Sequence, residues 1–146
     1  MPKAAGFGCS SLSGARGAVY GLSKQRARQR TEEALKTVGL WDKRDVSPST
    51  LSSGMRQKLA LAKGFLFLTP LFLLDEPTVG VDPLAQKDFY QLLDKLNKEN
   101  NLTLIIVSHD TDVIVKEVSR IICINKNMVC HVTPKEFISG NYIDKL

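Results

Sequence analysis

No stretch of this 146-residue chain approaches about 18 uninterrupted apolar residues, so no segment reads as a membrane-spanning helix. The opening, Met1 to Gly6, lacks the apolar centre of a signal peptide. Cysteine is scarce. Cys9, Cys123 and Cys130 are odd in number and widely spaced, which suits reduced thiols better than a disulfide framework. Cys123 and Cys130 lie in strand-like runs and read as packing residues. There are only two histidines, and Cys130-His131 does not read as a metal site, because neighbours on a strand point to opposite faces. Acid is absent from residues 1–30, which carry Lys3, Arg16, Lys24, Arg26, Arg28 and Arg30; the remainder holds 14 basic against 15 acidic side chains. Such an arm is able to meet nucleic acid or anionic lipid, yet Arg26, Arg28 and Arg30 have no interleaved aromatics. They read as a solvated helix face, with no nucleic-acid partner.

What is present concentrates between Leu51 and Asp82. Pro70 interrupts the apolar run Phe65–Leu74, since proline lacks an N–H and restricts the residue before it. The piece that follows, Leu71–Leu74, is short, apolar on both faces and stops at Asp75-Glu76. It predicts a central parallel strand delivering two acids to the crevice where open α/β sheets bind ligands. Asp75 suits Mg²⁺, held largely through water, and Glu76 suits orienting or deprotonating a water for attack on a phosphate. A second apolar run, Leu102–Val107, ends in Ser108-His109-Asp110. A histidine there is placed for a γ-phosphate or the attacking water. Upstream, Ser52 is a helix cap, and the N–H groups of Ser53, Gly54 and Met55 form a positive helix end able to hold an anion. Gly54 keeps that end free of a side chain. Each feature alone also fits a bland structural role; their order and spacing together favour the functional one.

These residues resemble the C-terminal half of an ABC-transporter nucleotide-binding domain. Leu51-Ser52-Ser53-Gly54-Met55 resembles the signature usually written LSGGQ, with Ser53 and Met55 as departures. Leu71–Asp75 resembles the Walker B strand, Glu76 the catalytic glutamate, Val79–Asp82 the D-loop and His109 the switch histidine. The resemblance covers roughly residues 20–140. It implies an α/β fold, a partial P-loop NTPase core with a mainly parallel sheet and a remnant of the helical subdomain. It also implies ATP and Mg²⁺ as cofactors, with catalytic Glu76 and His109, metal-binding Asp75, and Ser52, Ser53, Gly54, Met55 and Asp82 at the nucleotide.

One expected part has no counterpart. Gly8 to Arg16 superficially suggests a phosphate loop, but five residues separate its glycines and Ala-Arg follows where Lys and a hydroxyl are needed. The chain therefore reads as an ATPase domain lacking its Walker A segment. Residues 1–18 read as a flexible segment, 19–68 as the helical-subdomain remnant with the signature helix, and 69–146 as the Walker B, D-loop and H-loop core. Ser23–Val38 predicts a helix stopped by Gly39, Ser52–Leu68 the signature helix, and Leu84–Asn97 an amphipathic helix after Pro83, with Phe89, Leu92, Leu93 and Leu96 in the core. Asp110–Val118 predicts a helix, Arg120–Asn125 and Met128–Val132 a hairpin across Lys126-Asn127, and Thr133–Phe137 the start of a short helix.

The resemblance implies partners as well: a second ATPase domain closing head to tail, and a transmembrane permease at whose cytoplasmic face the chain would sit. Residues 86–126 look most like zinc- or manganese-uptake importers, and 51–70 like exporters. The expected function is the ATP-hydrolysing subunit, or a fragment of it, of a transporter, weak or inactive alone. The alternatives are an inactive module docking on a permease and a non-transport ABC ATPase.

Overall fold

The computed structural model describes residues 23–66, 69–140 and 142. The basic stretch before Ser23, the Gly8–Arg16 segment and Cys9 lie outside the described residues. Two compact units emerge, divided between Ile106 and Val107.

In the first unit, helix α1 (Lys24–Thr37) begins where the Ser23 hydroxyl accepts the N–H of Arg26, satisfying one of the orphan donors of a helix start. Gly39, at φ +69°, supplies the left-handed residue that ends it. Ala27, Thr31, Ala34 and Leu35 form the buried stripe of α1, while Arg26 and Arg28 face solvent, as the sequence suggested. Trp41 follows in a single 3-10 turn, with the Arg44 guanidinium 4.8 Å and the Lys36 ammonium 5.6 Å from its ring. Helix α2 (Ser53–Phe65) packs on α1 and buries Gly54, Leu59, Leu61 and Ala62. It ends at Phe65, well before Pro70; Phe67 and Leu68, which the sequence placed in this helix, lie outside the described residues. Arg30 of α1 donates to the carbonyl of Leu66 just beyond the end of α2.

Strand β1 (Leu71–Asp75), helix α3 (Pro83–Asn100) and strand β2 (Thr103–Val107) form a β-α-β unit, with β1 and β2 side by side in a two-stranded parallel sheet. The linking helix is what parallel neighbours require. Phe72 is buried, its ring lying over Gly64 and 5.2 Å from the Phe65 ring, so one face of the sheet rests on the last turn of α2. The other face is open: Leu71, Leu73 and Ile105 are 50%, 67% and 47% exposed. Phe89, Leu93 and Leu96 of α3 are buried as expected, joined by Tyr90, and Leu92 is half-buried. Asn101, in the left-handed conformation, turns the chain from α3 into β2.

The second unit contains helix α4 (Thr111–Glu117), strands β3 (Ile121–Asn125) and β4 (Asn127–Val132), and helix α5 (Pro134–Ser139). The strands pair antiparallel across Lys126, whose φ of +59° makes the turn, and the register shifts between Cys123 and Ile124. The inner face of the hairpin carries Ile121, Cys123 and Cys130, which with Phe137 form a small core against Ile114, Val115 and Val118. The expectation of reduced thiols is overturned here. Cys123 and Cys130 face each other across the ladder and are joined by a disulfide. The hairpin expected across Lys126-Asn127 already sets Cys123 opposite Cys130; the bond between them is what the sequence reading missed.

Candidate functional site

Each acid singled out in the sequence gains a defined setting in the first unit. Asp75 is the last residue of β1, exposed at its C-terminal end. Glu76, immediately after, has φ +44°. A β-carbon in that left-handed region crowds the backbone, so a non-glycine residue there carries strain. The strain has a geometric effect: the chain turns at once instead of continuing the pleat. The N–H of Val79 donates to the Glu76 carbonyl, and a second turn, with Gly80 at φ +70°, brings the N–H of Val81 to the Thr78 carbonyl.

This double turn is pinned from below. Thr78 is buried; its hydroxyl accepts from the Gln86 side chain at 2.9 Å and lies 3.3 Å from the Tyr90 hydroxyl, both on α3. Thr78, Gln86 and Tyr90 were missed in the sequence. The available signal was the i, i+4 spacing of two polar groups on one helix face beside a threonine in the preceding turn. Asp82 closes the segment as the cap of α3, its Oδ1 accepting the N–H of Ala85 at 3.0 Å, and Pro83 takes the first helical position. In this chain Asp82 has a helix-capping role whatever else it contacts.

The N-terminus of α2 lies against the same segment. Ser52 caps it, its hydroxyl accepting the N–H of Met55 at 3.2 Å. Arg56 reaches back to the carbonyl of Leu51, fixing the approach to the helix. Gly54 is buried, and a β-carbon on it would lie 2.9 Å from the Ala85 β-carbon and 3.6 Å from a Val81 methyl. The missing side chain thus points at α3. Packing of α2 on the turn demands glycine here in addition to any need to admit an anion. The first unit therefore brings together Ser52, Ser53, Gly54, Met55 and Asp82.

His109 belongs to the second unit, just before α4; there the N–H of Asp110 donates to the Ser108 hydroxyl, and the Asp110 carbonyl accepts from Ile114. Among the described residues no group of three or more His, Cys, Asp or Glu side chains gathers as a metal site. Cys130 faces inward and His131 outward, as neighbours on a strand do. No helix is long and apolar enough to cross a membrane among the described residues.

Comparison with known proteins places this geometry. Residues 18–116 match the family model described as "AAA domain, putative AbiEii toxin, Type IV TA system". A probable metal transport system ATP-binding protein of Thermotoga maritima is 38% identical over 128 residues, covering 88% of this chain and 53% of that protein. The chain belongs to the ABC-transporter ATP-binding domain family. A zinc import ATP-binding protein, ZnuC 2 of Aliivibrio fischeri, is 36% identical over 115 residues, covering 79% of this chain and 47% of its own. The solved structure of cbiO1 from Clostridium perfringens, part of the ABC transporter complex cbiONQ, superposes with a TM-score of 0.82 at 27% identity. It covers 94% of this chain and 55% of its own. The chain thus spans about half the length of these ABC relatives, and the α/β fold, a partial P-loop NTPase core, is that of their ATPase domain.

Proposed function

We propose that this chain supplies one half of each composite ATP site in an ABC-transporter ATPase, contributing the signature and the Walker B acids. The observation that carries this reading is Glu76 held in the left-handed region directly after Asp75, at the end of a parallel strand. Strain retained at the C-terminal edge of a parallel sheet, where such folds take ligands, points to chemistry. Asp75 suits Mg²⁺, since that ion keeps several waters and takes one or two carboxylates together with substrate phosphates rather than a protein cage. A lone exposed strand-end carboxylate fits that requirement. When bound, Mg²⁺ would neutralise charge on the transferring phosphate.

Glu76 is assigned to orienting the attacking water, and His109 to contacting the γ-phosphate or that water. Ser52, with the first-turn N–H groups of Ser53, Gly54 and Met55, is assigned to a nucleotide held by an opposing ATPase domain, and Asp82 to the same junction. A permease is the second partner, with the chain at the cytoplasmic face of the membrane. The relatives named for metal transport and zinc import support a metal-uptake system as the transporter class. No Gly-x₄-Gly-Lys-Ser/Thr pattern occurs in the 146 residues, so the phosphate cradle is assigned to another segment or chain.

Calorimetry of ATP–Mg²⁺ against the purified chain and its Glu76→Gln variant tests this reading. The expected result is weak or no binding for both, because the cradle supplies most of the phosphate affinity. Tight binding by either would overturn the half-site assignment.

A further inference from the structure

We propose that Cys123 and Cys130 form a reversible dithiol–disulfide latch that sets the rigidity of the second unit. Three observations carry this. The two residues are direct partners in the antiparallel ladder, with α-carbons 4.8 Å apart. That separation belongs to the close type of antiparallel pair, in which side chains on one face approach each other most nearly. Second, both residues are buried, at 4% and 6% exposure, in a core that is otherwise aliphatic and aromatic. A reduced cysteine is itself a small apolar side chain, so this apolar pocket suits the thiols as well as the disulfide. Third, the bond joins the ladder pair that borders the register shift between Cys123 and Ile124. A ladder is locally disrupted at such a point, so the cross-link fastens the hairpin where its main-chain bonding is poorest.

The chemistry balances with a small-molecule disulfide as oxidant. One cysteine thiolate attacks that disulfide, forming a mixed disulfide and releasing one small thiolate. The second cysteine thiolate attacks the protein sulfur of the mixed disulfide, closing Cys123–Cys130 and releasing the other. Two electrons pass to the small molecule, and the two thiol protons go to solvent or the released thiolates. Because both sulfurs are buried, exchange proceeds through local opening of the hairpin. The inner face of the hairpin packs on Ile114 and Val115 of α4, the helix that starts two residues after His109. Oxidation therefore stiffens the support under α4 whatever role His109 performs.

The full-length chain carrying Cys9→Ser is equilibrated with mixtures of reduced and oxidised glutathione, then trapped by alkylation and weighed by mass spectrometry. Amide hydrogen exchange is followed on the two end states. Oxidation is expected to yield a monomer lighter by two hydrogens, unreactive to alkylation and free of glutathione. Amides of residues 121–132 should be protected on the order of 30-fold more than in the reduced chain, as closing so short a loop predicts, and reductant should reverse the change. A Cys123→Ala/Cys130→Ala chain, also with Cys9→Ser, should show no response to glutathione. Two thiols that stay alkylatable, stable glutathione adducts, or equal exchange in the two states would each overturn the latch. The comparison of the two redox states of one chain stands even if the alanine variant folds poorly.

Discussion

At the scale of single residues, two backbone positions decide how the candidate site is held. Glu76 occupies a conformation that glycine adopts without penalty, at φ +44°. Glu76→Gly should raise stability by about 1 kcal/mol in urea unfolding, because the strained β-carbon is removed. Glu76→Gln, which keeps the β-carbon, should leave stability within about 0.5 kcal/mol of the parent. If instead the glycine variant is less stable, the glutamate side chain holds the turn and the strain is not a cost of function. Gly54 shows the opposite case, where a side chain is excluded by its neighbour. Gly54→Ala should destabilise by about 1–2 kcal/mol, since its β-carbon would press on Ala85. Pairing it with Ala85→Gly should recover part of that loss. A double-mutant cycle without a favourable coupling of about 1 kcal/mol would show that the two helices separate without penalty.

At the scale of elements, the caps explain why so much of this fold could be read from sequence. Ser23, Ser52 and Asp82 were legible as helix starts or stood directly before a proline, and each accepts an N–H from the third residue on. The left-handed residues after α1 and α3, Gly39 and Asn101, likewise carry their signal locally. What was not legible depends on distant partners. The Gly54–Ala85 contact and the Thr78–Tyr90 contact follow from which segments meet, and composition does not encode that. The helix end mispredicted at Leu68 came from reading Pro70 as the stop, whereas α2 ends at Phe65. The cap of α5 gives a pH test. The N–H and hydroxyl of Thr133 both donate to Glu136 Oε2 at 2.8 Å, and the Thr133 hydroxyl accepts from the Glu136 N–H. These bonds, that to the backbone N–H foremost, hold the Glu136 carboxyl below its ordinary value of 4.5. A carboxyl whose value is lowered on folding contributes stability above its unfolded value and loses it as pH falls through the folded one. Protection of the amides of 135–139 should therefore persist to pH 4.5 and decline below it. Glu136→Gln, which has no carboxyl to protonate, should remove that acid dependence, as followed by hydrogen exchange between pH 3 and 6 (roughly the range over which carboxylates titrate).

At the scale of the whole molecule, the parallel sheet has two strands among the described residues, fewer than sheets that stand alone, and its outer face is apolar. Leu71, Leu73 and Ile105 are about half or more exposed, and the chain corresponds to 55% of the solved relative it superposes on. Three or more strands with a covered hydrophobic face are the usual condition for independent stability. Exposed apolar side chains on one strand face invite association. The purified chain should therefore self-associate as its concentration rises, in a manner visible by sedimentation velocity. Leu73→Lys places a charge at the centre of the exposed face without removing a buried group, since Leu73 is 67% exposed. It should shift the distribution toward monomer while changing unfolding free energy by no more than about 0.5 kcal/mol. Unchanged association in this variant would mean that the contact lies elsewhere, with the exposed Ile122, Ile124 and Met128 of the hairpin as the next surface to charge. Monomeric behaviour of the parent at every concentration would show that the exposed Leu71, Leu73 and Ile105 do not drive association.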